Sequence, residues 1–123
     1  MPNEISFTGS LSVYKPSIMT NPSGRSAPGL SFNMAGLYTV EGNLQILLTA
    51  TLIPMGQVSA PHWSYFRNLD PTNFVTLFNG VTGAALPRLL ALEPCFVPLD
   101  PTGVYYALAD TAPCALEYFI ASL

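Results

Sequence analysis

The chain has 123 residues, of which half are hydrophobic and only 9% are charged, and its 4 basic and 7 acidic side chains give a net charge of −3. An average soluble domain is about a quarter charged, so much of this surface is expected to be neutral or apolar, as it is where partners bind. The few, unclustered basic residues argue against a nucleic-acid partner, and the lack of a run of about 18 apolar residues argues against a membrane-spanning helix.

The first half of the chain predicts strands interrupted by one long loop. Residues 5–13 alternate between apolar and polar side chains, which is the pattern of a half-buried strand. Residues 15–29 contain three prolines, two glycines and several serines, and they predict a loop or arm without regular structure. Alternation resumes over 30–40. The tripeptide at 41–43 then predicts a short turn, and 44–53 predict a central strand whose even-numbered residues line one face.

The second half predicts a series of short strands separated by turns. We place these strands at 63–69, 73–78, 86–92, 95–99, 104–110 and 115–121. The sequence Asp-Pro-Thr at 70–72 and again at 100–102 is typical of type I turns. No segment has a convincing helical stripe. The predicted fold class is therefore all-β: a single antiparallel β-sandwich or jelly-roll-like domain of about eight to nine short strands over residues 1–123, with the loop or arm at 15–29.

Adjacent aromatic residues are the second informative feature of the sequence. Because neighbouring side chains of a strand point to opposite faces, one ring of each pair is expected to enter the core and the other to face outward. Register is unknown from the sequence, so it does not say which ring of a pair faces outward. Several outward rings favour a surface that packs on another subunit. The candidate interface residues are Trp63, Tyr65, Phe66, Tyr105, Tyr106, Tyr118 and Phe119.

Few residues suggest catalytic chemistry. His62 is the only histidine, so no nucleophile–base arrangement is predicted and a structural or surface role is favoured. Asp70 and Asp100 each precede Pro-Thr and are interpreted as turn formers instead of paired catalytic carboxylates. We predict neither catalytic nor metal-binding residues, no cofactor and no enzymatic activity.

The two cysteines, Cys95 and Cys114, allow two interpretations. One is a disulfide, which would place the chain in an oxidising compartment, and the other is a pair of buried thiols. A hairpin that turns at 100–103 would set Cys95 opposite a residue near 108, not opposite Cys114. Spacing alone does not establish pairing, and we favour the two thiols.

Short strings in the C-terminal half, over residues 63–121, carry a family resemblance. They are RNLDPTNFV at 67–75, RLLALEP at 88–94, VPLD at 97–100, YALAD at 106–110 and LEY at 116–118. Through them the chain resembles small β-sandwich virion proteins of tailed bacteriophages, of the capsid decoration, cement or accessory type. The resemblance implies a compact sandwich and brings no catalytic residue with it. The chain departs from that pattern at Cys95, where such proteins often have a glycine after the proline, so the detail of this turn differs.

Two functions agree with these features. The first is a non-enzymatic structural virion protein, a capsid decoration or cement subunit. It would self-associate around a threefold or similar closed axis and bind a major capsid or other virion protein through aromatic surface. The alternative is a carbohydrate- or receptor-binding module of a virion. Its stacking rings would be Trp63, Tyr65 and Tyr105. Its hydrogen-bonding groups would be Asn68, Asp70 and Asn73. Both functions place the protein in a virion, without nucleic acid or membrane as partner.

Overall fold

The computed structural model describes residues 5–13, 23–32, 38–80, 83 and 85–123. Over these residues the chain is all-β and its strands pair in antiparallel sheets, which confirms the predicted fold class. No helix in this part of the chain is long and apolar enough to cross a membrane. The strands belong to two compact units, one within residues 1–34 and one within residues 35–123. That residues 1–123 form a single domain stays a prediction.

The first unit contains a two-stranded antiparallel sheet. Strand β1 spans Ile5–Val13 and strand β2 spans Ser23–Phe32, and their register runs from Ile5 opposite Phe32 to Val13 opposite Ser23. The predicted first strand is thereby confirmed. Residues 23–29, which we expected in a loop or arm, belong to β2, whereas 15–22 lie outside the described residues.

A β-bulge explains how β2 contains the residues that we interpreted as strand breakers. The register shifts between Phe7 and Gly9, so that one residue of β1, Thr8, faces two residues of β2, Pro28 and Gly29. A bulge leaves its extra residue outside the hydrogen-bond ladder, and prolines and glycines inside strands concentrate at such positions. Their presence at 28–29 therefore marks an irregularity within a strand and not the end of one.

The second unit consists of two four-stranded antiparallel sheets. Sheet I contains β3 (Thr39–Ile46), β5 (Pro61–Asn68), β8 (Pro94–Phe96) and β10 (Cys114–Ser122), in the order β3-β10-β5-β8. Sheet II contains β4 (Thr51–Leu52), β6 (Val75–Asn79), β7 (Ala85–Leu89) and β9 (Tyr105–Ala109), in the order β4-β9-β6-β7. All six strands predicted for the second half are present, with ends that differ by a few residues.

The eight strands pair as the two arms of one long folded hairpin. Strand β6 pairs with β7, β5 with β8, β4 with β9 and β3 with β10, so each pair lies outside the previous one along the chain. Two further pairings, β10 with β5 and β9 with β6, join these hairpin pairs into the two sheets. Successive strands thus alternate between sheet I and sheet II, except for β6 and β7, which are consecutive and both belong to sheet II.

Side chains from both sheets meet in one hydrophobic core. Sheet I contributes Ile46, Phe66, Cys114, Leu116, Tyr118 and Ile120. Sheet II contributes Val75, Leu77, Leu89, Tyr105, Ala107 and Ala109. The alternation is plainest in β10, where Leu116, Tyr118 and Ile120 are buried and Phe119 between them is 38% exposed. Full burial of one such large apolar side chain contributes about 1.5–3 kcal/mol, so the period-two pattern fixes the face that turns inward.

The run 44–53 crosses from one sheet to the other, and the prediction of a central strand there was wrong. Strand β3 ends at Ile46 on the edge of sheet I, and β4 is an edge strand of sheet II. The even-numbered residues do not share a buried face, since Ile46 is fully buried while Leu48 and Leu52 are 51% and 52% exposed. At the corner the Thr51 hydroxyl accepts a hydrogen bond from the Leu47 N–H at 3.0 Å. The alternation of apolar and polar residues cannot reveal such a bend, because the same alternation continues before and after the bend.

Residues 41–43, predicted as a turn, lie inside β3 instead. Gly42 is in register with Tyr118 of β10, and its neighbours Glu41 and Asn43 face Phe119 and Glu117. The Tyr118 ring covers the glycine, since a Cβ built on Gly42 would lie 3.5 Å from the phenol oxygen. An aromatic ring across from a glycine on an edge strand compensates for the missing side chain, so here the Gly-Asn pair does not end the strand.

Both Asp-Pro-Thr sequences reverse the chain under hydrogen bonds to their aspartates, but only the second has the backbone hydrogen bond of the predicted type I turn, because the Asp70 carbonyl accepts the Leu92 N–H at 3.2 Å. The Asp70 carboxylate accepts hydrogen bonds from the backbone N–H groups of Thr72 and Asn73 at 2.8 and 2.7 Å. The Asp100 carboxylate accepts the Thr102 N–H at 2.9 Å, and the Asp100 carbonyl accepts the Gly103 N–H at 3.0 Å. These backbone hydrogen bonds favour the charged carboxylate and hold the pKa of both aspartates below the ordinary value of 3.8.

Acid is expected to destabilise the fold through these two turns. Because both pKa values are lowered in the folded state, the stabilisation is fully present above the unfolded pKa of about 4 and is lost as the pH falls through the folded values. The melting temperature of the wild type should therefore drop between pH 5 and pH 2.5. The Asp70→Asn/Asp100→Asn variant keeps an acceptor oxygen that does not titrate, so its melting temperature should fall less over the same interval. Equal slopes for both proteins would contradict this assignment.

Candidate interaction surfaces

The outer face of sheet I carries a row of apolar rings that crosses the sheet. The pairing register places Phe119 of β10, Tyr65 of β5 and Phe96 of β8 side by side, with Glu41 of β3 at the end of the row. The Tyr65 and Phe96 ring centroids are 5.0 Å apart, which is a direct aromatic contact. Phe119 is 38% and Phe96 is 59% exposed, so the row presents apolar surface on a face that is polar in an ordinary sandwich.

A depression of about 360 Å³ lies beside this row, over β3, β10 and β5. It is lined by Glu41, Gly42, Asn43, Tyr65, Glu117, Tyr118 and Phe119. Partial burial raises the pKa of Tyr65. The negative charge of the Glu117 carboxylate, and a hydrogen bond to it, raise this pKa further. The depression therefore combines two carboxylates with aromatic surface, a chemistry that suits a cationic or polar group flanked by apolar atoms.

The outer face of sheet II is apolar as well. Its pairing register places Leu52 of β4, Tyr106 of β9 and Phe78 of β6 in a row, and Leu52 is 52% exposed. The neighbouring row contains Leu108, Thr76 and Arg88. The Arg88 guanidinium carbon lies 4.2 Å from the centroid of the Phe74 ring, a cation–π contact that holds the side chain near this face.

The candidate interface residues divide between the core and the outer faces. Phe66, Tyr105 and Tyr118 are 1%, 2% and 7% exposed and belong to the core, so they are not available to a partner. Their neighbours along the chain, Tyr65, Tyr106 and Phe119, lie on outer faces and are half-buried or exposed. Trp63 is half-buried on the same side of β5 as Tyr65 and meets the His62 ring edge-on at 4.8 Å. Each pair thus has one ring on either side of its sheet, as pleated strands require.

The residues suggested for a sugar platform do not come together. Tyr105 is buried in sheet II, with its hydroxyl bonded to the Asp100 carbonyl at 2.8 Å, while Trp63 and Tyr65 lie on the outer face of sheet I. Asn68 is fully buried, and the Asp70 carboxylate is occupied by hydrogen bonds to the backbone of its own turn. That particular constellation was wrong, because residues close in sequence were assigned to one face without knowledge of the register.

Several surface residues were missed by sequence reasoning. They are Phe96, Leu52, Phe78, Glu41 and Glu117. None belongs to an adjacent aromatic pair, which was the signal that we used. Their position on the apolar rows follows only from cross-strand register, since alternation along a strand assigns a face and not a neighbour on the next strand.

Neither His62 nor the cysteines form a chemical site. The His62 Nδ1–H donates to the Leu99 carbonyl at 2.6 Å, so the ring links β5 to the chain after β8.

Cys95 and Cys114 are free, and burial raises the pKa of both thiols. They lie two strands and four residues apart, roughly 16 Å at standard strand dimensions, whereas a disulfide needs Cα atoms within about 7 Å. In the part of the chain that the structure describes, no three His, Cys, Asp or Glu residues are grouped as metal ligands.

Comparison with known proteins finds no matching family model, no matching curated protein and no matching solved structure.

Proposed function

We propose that the chain is a non-enzymatic structural protein of a virion, a capsid decoration or cement subunit that assembles through the outer faces of its two sheets. The observation that carries the proposal is the row Phe119–Tyr65–Phe96 on the outer face of sheet I. Rings in such a row gain about 25 cal/mol for each Å² of apolar area that a partner covers, before the costs of ordering. The partners are a second copy of the chain and a shell protein of the virion.

The topology supports this proposal. Four nested hairpin pairs distributed over two four-stranded sheets, in the orders β3-β10-β5-β8 and β4-β9-β6-β7, are the arrangement expected of a jelly roll. Viral capsid and lectin domains use that architecture, although a fold alone does not define a function. We therefore infer a jelly roll and rest the functional proposal on the surface and on the resemblance of residues 63–121 to small virion proteins of tailed bacteriophages.

The depression on sheet I favours a second candidate, a carbohydrate- or receptor-binding module of a virion. Tyr65 and Phe119 offer ring surface, and Glu41, Asn43 and Glu117 offer hydrogen-bonding groups. A sugar titration followed through the fluorescence of Trp63, the only tryptophan, separates this candidate from assembly. A saturable change with sugar would favour the module, and its absence in a protein that self-associates would favour the structural subunit.

Self-association is the first test of the proposed function. The purified protein should be an oligomer at micromolar concentration by light scattering. Phe119→Lys and Tyr106→Lys should each weaken the association constant by about tenfold or more, because each leaves a charge in apolar contact area. Gln57→Lys adds the same charge at an exposed position in the loop between β4 and β5, outside both outer faces, and should have little effect. A wild-type protein that stays monomeric at tens of micromolar would contradict the proposal.

Location in the particle is the second test. An antibody against the chain should label intact particles at their outer surface, and the protein should copurify with them. Recovery only outside particles would contradict a virion role while leaving self-association in place.

A further inference from the structure

Each outer face of the second unit has an apolar row and a charged residue on an edge strand, and these two edge charges have opposite signs; the inference drawn from them rests on the assembly proposed above. On sheet I the edge strand β3 presents Glu41, and the next three strands present Phe119, Tyr65 and Phe96 in that order. On sheet II the row of Leu52, Tyr106 and Phe78 continues to Ala85 of the edge strand β7, and Arg88 of that strand lies in the neighbouring row, in register with Thr76. Each face therefore has an apolar row over three strands and a charged residue on one edge strand, which ends the row on sheet I and lies one row away on sheet II.

The charges themselves are complementary. Within the four strands of sheet II, all of which the structure describes, Arg88 is the only charged residue, and it is exposed. On sheet I, Glu41 is exposed and Glu117 lies diagonally across from it on β10, at roughly 7–8 Å between Cα atoms. Arg67 of β5, in register with Glu117, is a cation on the same face, and its Nε donates to the Leu92 carbonyl at 3.4 Å, so the two carboxylates outnumber the one guanidinium there. Both carboxylates line the depression of about 360 Å³. A guanidinium has several donors in a planar fork, which suits it to bind carboxylates while it stacks on a ring such as Phe119.

We propose that the outer face of sheet II of one molecule docks on the outer face of sheet I of a second copy, with Arg88 entering the depression between Glu41 and Glu117. In this arrangement the two apolar rows lie along one another, since each extends over three further strands, about 14 Å at a strand spacing of about 4.8 Å. The depression supplies the countercharge for Arg88, and the rows supply apolar contact.

This contact joins two different faces, so it is heterologous. The pair keeps one unused face of each kind, one on each copy, and further copies add in the same orientation. The assembly closes into a ring if the rotation between neighbours divides a full turn, and it grows as a filament if not. The ring is the outcome that has the closed symmetry axis expected of a decoration subunit.

A charge-reversal mixing experiment tests the docking. Arg88→Glu places carboxylates on both faces, and the double variant Glu41→Arg/Glu117→Arg places cations on both. Alone, each protein should associate at least about tenfold more weakly than the wild type, because every contact then pairs like charges. In an equimolar mixture every contact between unlike proteins has opposite charges, since each protein has the countercharge that the other lacks. Unlike pairs therefore form whatever the ring size, while a ring with an odd number of copies keeps one contact between like charges. Light scattering of the mixture should recover association within about threefold of the wild type.

The outcomes separate the docking mode from the proposed function. Assembly of Arg88→Glu at wild-type strength would overturn the docking and leave assembly through another contact. Weak association of both variants without recovery in the mixture would also overturn it, since the faces would then meet something other than each other. A monomeric wild type would overturn both. Circular dichroism and thermal unfolding verify that each variant is folded, and Arg88→Gln, which removes the charge without repulsion, replaces Arg88→Glu if that variant does not fold.

Discussion

Replacing Asn68 with aspartate is expected to lower the free energy of unfolding at pH 7 by about 3–5 kcal/mol, the cost of an unpaired buried charge. The Asn68 side chain is fully buried at the end of β5. Its Nδ2 donates to the carbonyl oxygens of Asn73 at 2.7 Å, Leu89 at 3.2 Å and Leu90 at 3.1 Å. Its Oδ1 accepts the Asp70 N–H at 2.9 Å. Aspartate keeps the acceptor but removes both donor hydrogens, so three carbonyl oxygens would face a negative charge.

The measurement is urea denaturation of the wild type and of two variants. Asn43→Asp is the matched control, since it makes the same change on the exposed outer side of β3 and should cost less than about 1 kcal/mol. The deficit of Asn68→Asp relative to the wild type should shrink at pH 4, because protonation of the introduced carboxyl removes the charge and returns one donor. A deficit as small as that of Asn43→Asp would show that the three carbonyl groups do not depend on Asn68.

The effect of Asn68 is large because one side chain joins segments that are distant in sequence. It binds the turn after β5 through Asp70, the approach to β6 through Asn73, and the end of β7 through Leu89 and Leu90. Its own backbone N–H donates to the Glu93 carbonyl at 3.0 Å. A buried amide that satisfies this many groups specifies the positions of the loops around it. Sequence reasoning assigned Asn68 to a ligand site, since neither burial nor partners can be read from an asparagine that precedes a turn.

The elements that sequence could predict are those whose signal is local. The strands β5, β6, β9 and β10 alternate in hydrophobicity, and Asp-Pro-Thr turns precede β6 and β9, so both their presence and their approximate ends could be predicted. These strand and turn predictions depend on residues within about ten positions of one another. The prediction of free thiols was also correct, but the hairpin at 100–103 from which it was argued was wrong, because β8 pairs with β5 in sheet I and β9 lies in sheet II.

What sequence could not predict depends on non-local pairing. Gly42 looks like a turn residue until Tyr118, far along the chain, is placed across from it. The run 44–53 looks continuous until each part is assigned to a different sheet. The candidate interface has the same limitation, because Phe119, Tyr65 and Phe96 become neighbours only through the register of three strands. The period-two alternation of a strand assigns each side chain to a face of the sheet. Which side chains of other strands lie beside it on that face depends on the sheet topology.

Phe66 and Phe119 provide the sharpest test of the division between core and outer face. The two rings lie on neighbouring strands of sheet I but on opposite sides of it, with Phe66 1% and Phe119 38% exposed. Phe66→Ala should destabilise the fold by about 3–5 kcal/mol, because it removes a ring from the packed core and leaves a cavity. Phe119→Ala should cost less than about 1 kcal/mol of stability, since solvent already reaches that ring.

The same substitution at two positions should thus separate folding from association. Denaturant unfolding at low protein concentration reports stability without a contribution from assembly, and light scattering at high concentration reports association. If the outer face is the contact surface, Phe119→Ala should weaken association while its unfolding midpoint stays close to that of the wild type. Phe66→Ala should lower the midpoint steeply, because Phe66 is in register with Tyr118 on one side and Cys95 on the other, both on the inner face. Equal losses of stability in the two variants would mean that Phe119 is also covered within the molecule. The apolar row would then be part of the fold, and the function would have to be sought on another surface.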